Sequence, residues 1–440
     1  WQIQFYANLG GDKGLCFYRA VVSEQHEQIA CVEHDWLGRW RCVYLNPYPP
    51  GYDIITTGIE HMAEEHIRII DNYKKCLAYR GAGSAHKIMH RIRLIKEPNF
   101  RKVHPIKITP QMLPVFKEQY DFLLEQGIAS AVPDFPDDVP FSVYQTPFLK
   151  LLLKPDGKSW RVLVPALGLN DNTIREDPNL PEINSLLSVI GKFKCVSLLD
   201  LNQGFFQIPI HPDDRKYTIT RTPKGLIQFN VMLMGCSNSP GTFQRAMEEV
   251  FSGLINNGVL VYIDDILIYA TSVEEHLRLL EQVMIRCMRY NLWIKGSKSK
   301  ICRSELDYLG FRLKQDGIHV QPDKVEGIRN MPNPSPSCSH LHTFIGMVSF
   351  YHRHVPGSAV LLAPLFDLMT EYKKQLKVKG KKPVKHMDRR SQLERMDLLW
   401  RTLWQPSHTD AVQRLKDAVM NAALLAHPDY TKPFILYTDA

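Results

Sequence analysis

The stretch VLVYIDDILIYA, residues 259–270, places the adjacent carboxylates Asp264 and Asp265 inside an otherwise apolar run. A carboxylate taken out of water without a partner is costly, and two neighbouring carboxylates also repel each other, so this pair needs a cation or solvent. The apolar residues on both sides favour two strands that turn beside the aspartates. Two interpretations follow: a hairpin whose tip reaches water, or a site for divalent metal ions.

A third carboxylate lies upstream in KCVSLLDLNQGFFQIPI, residues 194–210. This segment reads as a strand, and the two-residue period of a strand places Val196, Leu198 and Asp200 on one face. Asp200 is then expected near a strand end, where a second strand can bring another carboxylate beside it.

Two amphipathic helices are predicted around the aspartate pair. The first follows Pro240, and its apolar face is Phe243, Met247, Val250, Phe251 and Leu254. The second opens with the capping box Ser272-x-x-Glu275, and its apolar repeat is Leu277, Leu280, Met284 and Cys287. The order strand, helix, hairpin, helix predicts an α+β fold in which helices back an antiparallel sheet.

Converging carboxylates are the ligands that phosphoryl-transfer chemistry requires. Two divalent ions roughly 3.5–4 Å apart stabilise the attacking and leaving oxygens of an in-line displacement at phosphorus. Such ions take hard oxygen ligands, with substrate phosphates completing the shell. Asp200 and Asp264 would share a site if their strands are neighbours, which their spacing alone does not establish.

The composition excludes several classes of protein. The 440 residues allow two to four domains, and 44% hydrophobic with 23% charged residues is an ordinary globular composition. No run of 18 apolar residues and no signal peptide are present, which predicts no membrane span and no secretion. The nine cysteines include no C-x-x-C pair, which argues against a disulfide framework and a structural zinc site and favours a reducing compartment. Cys338, His340 and His342, in SCSHLH, are interpreted as a polar helix start.

The net charge of +8 is concentrated in residues 371–395, which contain ten basic and three acidic residues. Such a run is either a solvated surface or a contact for phosphate backbones, and composition does not decide between the two.

Two further elements are predicted before residue 194. A helix is expected over 110–126, with Thr109 as N-cap, Pro110 in the first turn and Gly127 as its stop. FLKLLLKPDGKSWRVLV, residues 148–164, reads as two strands around a Pro-Asp-Gly turn. Residues 1–100 carry a helix near 58–80 and no chemistry that can be named.

Several ordered motifs resemble those of one family. LLDLNQGFFQI, SNSPGTFQRAM and YIDD are similar to motifs A, B and C of reverse transcriptases, especially those of Ty3/gypsy long-terminal-repeat retrotransposons and their retroviral relatives. The resemblance runs over residues 105–440. It implies a right-hand fold of fingers, palm and thumb, two Mg²⁺ ions with Mn²⁺ as the alternative, and DNA synthesis from a primer on an RNA or DNA template with deoxynucleoside triphosphates.

The resemblance also implies a setting. Trp1 stands where an initiator Met would, which predicts a fragment or a processed product. The resemblance implies a segment of a pol polyprotein, located in the cytoplasm within virus-like particles. The oligomeric state is left open.

The resemblance assigns roles residue by residue. Asp200, Asp264 and Asp265 become the metal ligands. Lys298 becomes a candidate proton donor to the leaving pyrophosphate, with Lys300 as its rival. The nucleotide-binding residues are Lys154, Arg161, Gln203, Gly204, Phe205 and Met234. Phe205 is expected beneath the incoming sugar, and the alternative is that Phe206 faces the site instead.

The template and primer contacts are assigned in the same way. They are Ser239, Pro240, Gln244, Tyr262, Leu309, Gly310 and Phe311, with neighbouring Phe243 open to a purely core role. The last three resemble the primer grip, in which backbone and aromatic contacts hold the primer end.

The resemblance predicts the following domain limits: residues 1–100 unassigned, fingers at 101–190 with 211–238, palm at 191–210 and 239–312, thumb at 313–370, a basic insertion at 371–400, and connection plus the first RNase H strand at 401–440. In FILYTDA, Asp439 matches the first metal ligand of an RNase H domain, and without later carboxylates we expect no RNase H activity.

The sequence departs from the family at PALGLN, residues 165–170, where the family pattern is D-[YF]-R-x-L-N. Pro165 and Leu167 replace an Asp and an Arg that support the fingers and contact the template, and Met234 replaces a Phe or Gln. These departures keep a second hypothesis open, a decayed or co-opted retroelement fragment that binds only nucleic acid or protein.

Overall fold

The structure is a computed structural model of the 440-residue chain. It describes residues 2–7, 16–21, 29–34, 40–45, 64–77, 81–85, 87–96, 109–134, 150–153, 160–163, 166–335, 337–379, 398–422, 425 and 427. The chain divides into two compact units, one of residues 1–189 with 193–304 and the other of residues 190–192 with 305–440. The predicted palm–thumb limit at residue 312 stays a prediction, and the division between the units falls slightly earlier.

The first unit combines helices with small antiparallel sheets. Its helices are α1 Glu64–Asn72, α2 Leu113–Glu125, α3 Leu167–Asn172, α4 Ile183–Ser188, α5 Gly204–Gln207, α6 Ser239–Val250 and α7 Val273–Arg289. Its strands are β1 Gln2–Ala7, β2 Cys16–Val21, β3 Ile29–His34, β4 Trp40–Leu45, β5 Ala129–Val132, β6 Lys150–Leu153, β7 Trp160–Leu163, β8 Cys195–Asp200, β9 Thr220–Thr222, β10 Gly225–Phe229, β11 Val259–Tyr262, β12 Asp265–Ala270 and β13 Lys300–Arg303.

The four-stranded sheet that carries the aspartates has the order β11-β12-β8-β13, with antiparallel neighbours. Leu199, Ile266 and Val261 are register partners, so these apolar side chains share one face of the sheet. They are buried in one cluster with residues of α1, α6 and α7. The predicted antiparallel sheet backed by helices is therefore confirmed.

Both predicted amphipathic helices form on that face. All the expected core residues of the first helix are buried: Phe243, Met247, Val250, Phe251 and Leu254. In the second helix the buried residues of the predicted repeat are Leu280, Met284 and Cys287, and Leu277 is partly buried. Ser272 caps α7 by accepting a hydrogen bond from the Glu275 N–H at 3.1 Å. The Glu275 carboxylate instead accepts from the N–H and hydroxyl of Thr271, so the predicted reciprocal bond to Ser272 is replaced by one to the residue before it.

A second core in this unit joins α2 to the three-stranded sheet β5-β10-β9. Phe116, Tyr120 and Leu123 are the buried residues of α2. The predicted pair of strands around Pro-Asp-Gly is confirmed as β6 and β7, which are antiparallel.

The second unit contains a three-stranded antiparallel sheet and helices. The strands are β14 Leu306–Tyr308, β15 Phe311–Lys314 and β16 Gly317–Val320, in that order. The helices are α8 Pro322–Arg329, α9 Cys338–Phe350, α10 Ser358–Lys379, the helical residues 398–403 termed α11, and α12 Pro406–Met420. The indole of Trp400 packs edge-on against Tyr372 and donates a hydrogen bond to the Ser335 carbonyl at 2.7 Å, which fixes α11 against α10.

Several local expectations are confirmed and others are wrong. Ser337 caps α9 by accepting from the His340 N–H, and its hydroxyl also bonds His340 Nδ1 at 2.6 Å, so SCSHLH is a polar helix start as predicted. Thr109 makes no side-chain capping bond, because a 3₁₀ turn over Pro110–Met112 precedes α2. Gly127 does adopt positive φ (+68°) after the helix.

The predicted strand over residues 194–210 is too long. β8 ends at Asp200, Gln203 adopts a left-handed conformation with φ +50°, and Gly204–Gln207 form the helical turn α5. The buried Gln207 side-chain amide holds this turn, because it donates to the carbonyls of Asn202 and Trp293 and accepts from the Trp293 N–H.

The helix predicted near residues 58–80 is α1 followed by a 3₁₀ turn, Lys74–Leu77, and the rest of that range lies outside the described residues. Among the helices described, none is both long and apolar enough to cross a bilayer.

Candidate active site

The strand register brings the three predicted metal ligands together. Asp200 is the last residue of β8 and Asp265 is the first residue of β12, and the two are direct register partners. Asp264 precedes Asp265, and its carbonyl accepts a hydrogen bond from the Leu201 N–H at 3.2 Å. Three carboxylates therefore meet at one edge of the sheet, with Asp200 and Asp265 on the face opposite the helices.

The three carboxylates repel one another, and Lys298 acts against this repulsion at Asp265. The pKa of Asp265 is raised to about 6, first by burial, then by Asp264 and Asp200, while Lys298 acts in the opposite direction. The donor set is made of hard carboxylate oxygens, and bound cations would relieve the repulsion that raises this pKa. The residues present therefore fit a divalent metal site.

The tip of the aspartate hairpin is strained, and hydrogen bonds from the Gln244 side chain hold it in place. Ile263 has φ +54°, which is rare for a β-branched residue and costs of order 1–3 kcal/mol. Two-residue hairpin loops use positive φ at such positions. The Gln244 side-chain oxygen accepts a hydrogen bond from the Ile263 N–H at 2.8 Å, and its amide donates to the Val261 carbonyl at 3.2 Å.

Gln244 was expected to contact the template, but its hydrogen bonds are made to the aspartate hairpin. Its side chain is buried, with 1% of the residue exposed, and its amide also donates to Glu248. The surroundings correct the expected role: the structure assigns Gln244 to holding the aspartate hairpin in place.

Gly204 lies where a side chain would collide with the site. A Cβ atom at this position would be 2.9 Å from the Phe243 ring and 3.2 Å from the Asp264 Cβ. The helical turn α5 thus approaches the aspartate hairpin closely because residue 204 has no side chain.

Phe205 and Phe206 lie on this helical turn, so the expectation that they alternate as strand neighbours is wrong. Phe205 is partly buried, and its ring stacks on Phe243 with centroids 5.2 Å apart. Phe206 packs against the other core, around α2 and β10. The two rings still point to different parts of the protein, and Phe205 belongs to the side that holds Asp264.

Lys298 is brought beside the carboxylates. Its Nζ lies 3.8 Å from Asp200 Oδ2, with 63% of the lysine side chain exposed. Lys298 ends a 3₁₀ turn, Gly296–Lys298, whose preceding residue Lys295 donates its N–H to the Asp200 carbonyl at 2.8 Å. The rival Lys300 lies in β13 opposite Leu198.

Ser299 is a residue that the sequence reasoning missed. It is fully buried, and its hydroxyl accepts from the Asp200 N–H at 3.2 Å and donates to the Lys295 carbonyl at 2.9 Å. Ser299 thus ties Asp200 to the turn that carries Lys298. The only signal in the sequence was its position between two lysines, in GSKSK.

The predicted nucleotide-binding residues are only partly described. Lys154 and the side chain of Arg161 lie outside the described residues, so their roles stay predictions. Gln203 is exposed, and Met234 is 41% exposed. Asn170, the retained residue of PALGLN, supports the loop after Met234 because its amide donates to the Gly235 carbonyl and its oxygen accepts from the Ser237 N–H, both at 2.8 Å.

The predicted template residues Ser239 and Pro240 open α6. Ser239 is fully buried, and its Oγ has no hydrogen-bond partner among the residues that the structure describes. Tyr262 is partly exposed and pairs with Asp265. Pro240 and Tyr262 are both partly exposed, so both remain available for a ligand contact.

The predicted primer grip forms a tight hairpin in the second unit. Leu309 and Gly310 both have positive φ, +48° and +84°, and connect β14 to β15. Tyr351 donates its hydroxyl to the Gly310 carbonyl at 3.2 Å. The Phe311 ring is 1% exposed and stacks on Phe350 and His354, so the expected aromatic contact of Phe311 with primer is not supported.

Two parts of this chain match known protein families. Residues 152–313 match the family Reverse transcriptase (RNA-dependent DNA polymerase). This chain contains a reverse transcriptase domain. The reverse transcriptase domain includes the three carboxylates, Lys298 and most of β15. Residues 404–440 match the RNase H-like domain found in reverse transcriptase, while Asp439 itself lies outside the described residues.

The relatives of this chain confirm the predicted Ty3/gypsy resemblance. The chain is 30% identical over 348 residues to the retrovirus-related Pol polyprotein from transposon opus of Drosophila melanogaster, covering 78% of this chain and 32% of the relative. It is 28% identical over 282 residues to that from transposon gypsy of the same organism, covering 64% and 26%. The chain thus spans about a third or less of the length of these relatives.

Solved structures confirm the predicted right-hand polymerase fold of this chain. The foamy viral protease-reverse transcriptase in complex with dsDNA has a TM-score of 0.64 at 20% identity, covering 84% of this chain and 71% of that one. The same protein in complex with an RNA/DNA hybrid has a TM-score of 0.64 at 19% identity, covering 90% and 53%.

Proposed function

We propose that this chain is an RNA-directed DNA polymerase that extends a primer with deoxynucleotides. The observation that carries the proposal is the direct register pairing of Asp200 with Asp265, which places the carboxylates of LLDLN and YIDD at one sheet edge. The match to the reverse transcriptase family supports the same activity. The decayed-fragment hypothesis has less support, because the three carboxylates and Lys298 are all retained and assembled.

Asp200, Asp264 and Asp265 would hold divalent ions, and Mg²⁺ is the ion we propose, with Mn²⁺ as the alternative. When bound, such ions stabilise the charge on the attacking and leaving oxygens of the phosphoryl transfer. The hard oxygen donor set favours these ions over softer metals.

The remaining roles belong to the chain itself. Gln244 positions the aspartate hairpin through the Ile263 N–H, and Ser299 positions Asp200 relative to Lys298. Lys298 is exposed enough to meet a ligand and carries a transferable proton for the leaving pyrophosphate. Lys154 and Arg161 would bind the triphosphate, for which the fork of Arg donors is well suited.

The proposed partners are a primer on an RNA or DNA template and deoxynucleoside triphosphates. Complexes of the foamy viral protein with dsDNA and with an RNA/DNA hybrid support both kinds of duplex. Similarity to retrovirus-related Pol polyproteins supports a location in cytoplasmic virus-like particles.

Primer extension tests this proposal. The 440-residue chain should add deoxythymidylate to an oligo(dT) primer on a poly(rA) template in Mg²⁺, and EDTA should stop the reaction. A chain that binds the primed template without extending it in Mg²⁺ or Mn²⁺ would support the decayed-fragment hypothesis instead.

We expect Phe205→Val to weaken discrimination between deoxy- and ribonucleotides. A phenyl ring beneath the sugar would leave a buried 2′-hydroxyl without a partner, which costs about 1–3 kcal/mol, or roughly 5- to 150-fold at 1.4 kcal/mol per factor of ten. The stacking of Phe205 on Phe243, beside Asp264, supports this placement. The measurement is the ratio of kcat/KM for deoxy- and ribonucleoside triphosphates.

Phe206→Val is the matched control for this prediction. Phe206 packs in the core around α2, so its truncation should lower the melting temperature and leave the sugar preference unchanged. Relaxed preference in the Phe206 variant, with normal preference in the Phe205 variant, would show that Phe206 faces the sugar.

We expect Gln244→Leu to slow nucleotide incorporation about 10²-fold, because a misplacement of reacting groups by about 1 Å has that effect. The change leaves the Ile263 N–H without its partner, which destabilises the fold by about 1–3 kcal/mol. Template affinity should change little, since Gln244 is buried. Single-turnover incorporation, template titration and thermal unfolding separate the three effects.

Gln413→Leu provides the control, because the Gln413 amide bonds Asp417 on the exposed surface of α12. If the Gln244 variant instead loses template affinity and keeps a normal incorporation rate, the original expectation that Gln244 contacts the template is correct.

A further inference from the structure

A second cluster of potential metal ligands lies on the helix-covered face of the four-stranded sheet. His66 of α1, Cys195 of β8 and His276 of α7 are buried, and their ligand atoms all lie within 4.8 Å of one another. Cys302 of β13 adjoins them, with its Sγ 2.7 Å from Cys195 Sγ. Strand alternation separates this cluster from Asp200, because Cys195 and Asp200 lie on opposite faces of β8.

The two imidazoles are arranged as a pair of metal ligands would be. His66 Nε2 lies 3.0 Å from His276 Nδ1, and the other nitrogen of His276 bonds the Ser197 hydroxyl at 2.8 Å. A hydrogen bond at the second ring nitrogen is the usual device that orients a metal-bound histidine. The His276 side chain is fully buried, and metal binding uses the neutral form of the imidazole.

The backbone of β13 is bent at the fourth ligand. The register of β13 against β8 shifts between Lys300 and Arg303, and Cys302 adopts φ +51°. The Cys302 N–H donates to the same Ser197 hydroxyl at 2.8 Å. Bulges of this kind redirect a side chain, and here the Cys302 sulfur lies 2.7 Å from the Cys195 sulfur.

We propose that His66, Cys195, His276 and Cys302 form a structural Zn²⁺ site. Two thiolates and two neutral imidazoles are a tetrahedral Cys₂His₂ donor set, which prefers zinc to the hard ions of the aspartate site. Both thiols release their protons to solvent on binding, and the two thiolate charges then neutralise the ion. Burial on this face favours such a neutral assembly, since Cys195 and both histidines are buried.

The zinc would attach α1 to the sheet that carries the catalytic carboxylates. His66 and His276 are far apart in sequence, and β8 and β13 add one ligand each. The site therefore joins four separate elements. For this reason its four ligands show no local C-x-x-C or H-x-x-x-H spacing in the sequence.

Metal analysis of the full chain tests the proposal. Protein purified without an affinity tag from zinc-supplemented cells should retain one zinc per chain after dialysis, measured by plasma mass spectrometry. Replacement by Co²⁺ should give the visible bands of tetrahedral cobalt and a thiolate-to-cobalt charge-transfer band. Both signals should be lost in Cys195→Ser and in His66→Gln.

Cys236→Ser is the matched control, because Cys236 is a buried thiol in the other core of the same unit. It should keep full zinc content and the cobalt spectrum, so any loss in Cys195→Ser is not a general effect of removing a buried thiol. If Cys195→Ser fails to fold, His66→Gln and the cobalt spectrum of the unsubstituted chain decide the question. The proposal is overturned by unsubstituted protein that binds neither ion, by zinc retained in both ligand variants, or by a Cys195–Cys302 disulfide in the peptide map.

Discussion

Asp264→Asn is expected to reduce nucleotide incorporation by about a thousand-fold or more. Metal ions in such sites contribute several kcal/mol of transition-state stabilisation, and each 1.4 kcal/mol is a factor of ten in rate. The substitution keeps the size of the side chain and the backbone bond from Leu201 to the Asp264 carbonyl, so the fold should persist. Asp200→Asn should behave in the same way. The measurement is single-turnover primer extension in Mg²⁺.

Duplex binding separates loss of catalysis from loss of structure. If the carboxylates hold metal ions and not the nucleic-acid backbone, both variants should bind primed template with nearly unchanged affinity. Asp213→Asn is the control, because this carboxylate is 75% exposed and lies 3.4 Å from the ring of His211. Extension at the unsubstituted rate by either site variant would show that the metal site has been placed on the wrong residues.

The sheet around these aspartates was predictable because its signals are local. Alternating apolar residues predicted the strands, and the repeat after Pro240 predicted the buried face of α6. Strand order is not a local property. The convergence of Asp200 with Asp264 and Asp265 was predicted from the sequence only through the resemblance to reverse transcriptases, and the register pairing of Asp200 with Asp265 then shows it.

The errors have physical causes of the same kind. GFFQ is a short apolar run with no period that distinguishes a strand from a helical turn, and its turn is fixed by the Gln207 amide bonding to the distant Trp293. Gln244 looks like a surface residue of α6 in the sequence, but its side-chain oxygen accepts a hydrogen bond from the N–H of Ile263, a residue with positive φ. Buried polar side chains serve partners that are remote in sequence, so neither role could be read from a window of residues.

The same limit applies to the cysteines and histidines. Their spacing predicted no zinc, yet strand order and helix packing bring two of each type together. The absence of a local motif excluded only metal sites built from one or two adjacent segments.

Lys298→Met is expected to slow the chemical step by about 10²- to 10⁴-fold, the usual contribution of general acid catalysis. The lysine is 63% exposed, so its ion pair with Asp200 contributes little to stability, about 0–1 kcal/mol. The turn that carries it is held by Lys295 and Ser299 through backbone groups and should survive the substitution. Rapid-quench incorporation and its solvent deuterium isotope effect report the proton transfer.

Lys298→Arg distinguishes proton donation from simple charge attraction. Arginine keeps the positive charge but does not release a proton in this pH range, so a general acid predicts a slow Arg variant with a diminished isotope effect. An electrostatic role predicts near-normal rates with Arg and loss only with Met. Lys300→Met is the matched control for the rival lysine, which lies in β13 opposite Leu198. If that variant is slow while Lys298→Met is normal, the proton donor is Lys300, and the ion pair of Lys298 with Asp200 has no part in the chemistry.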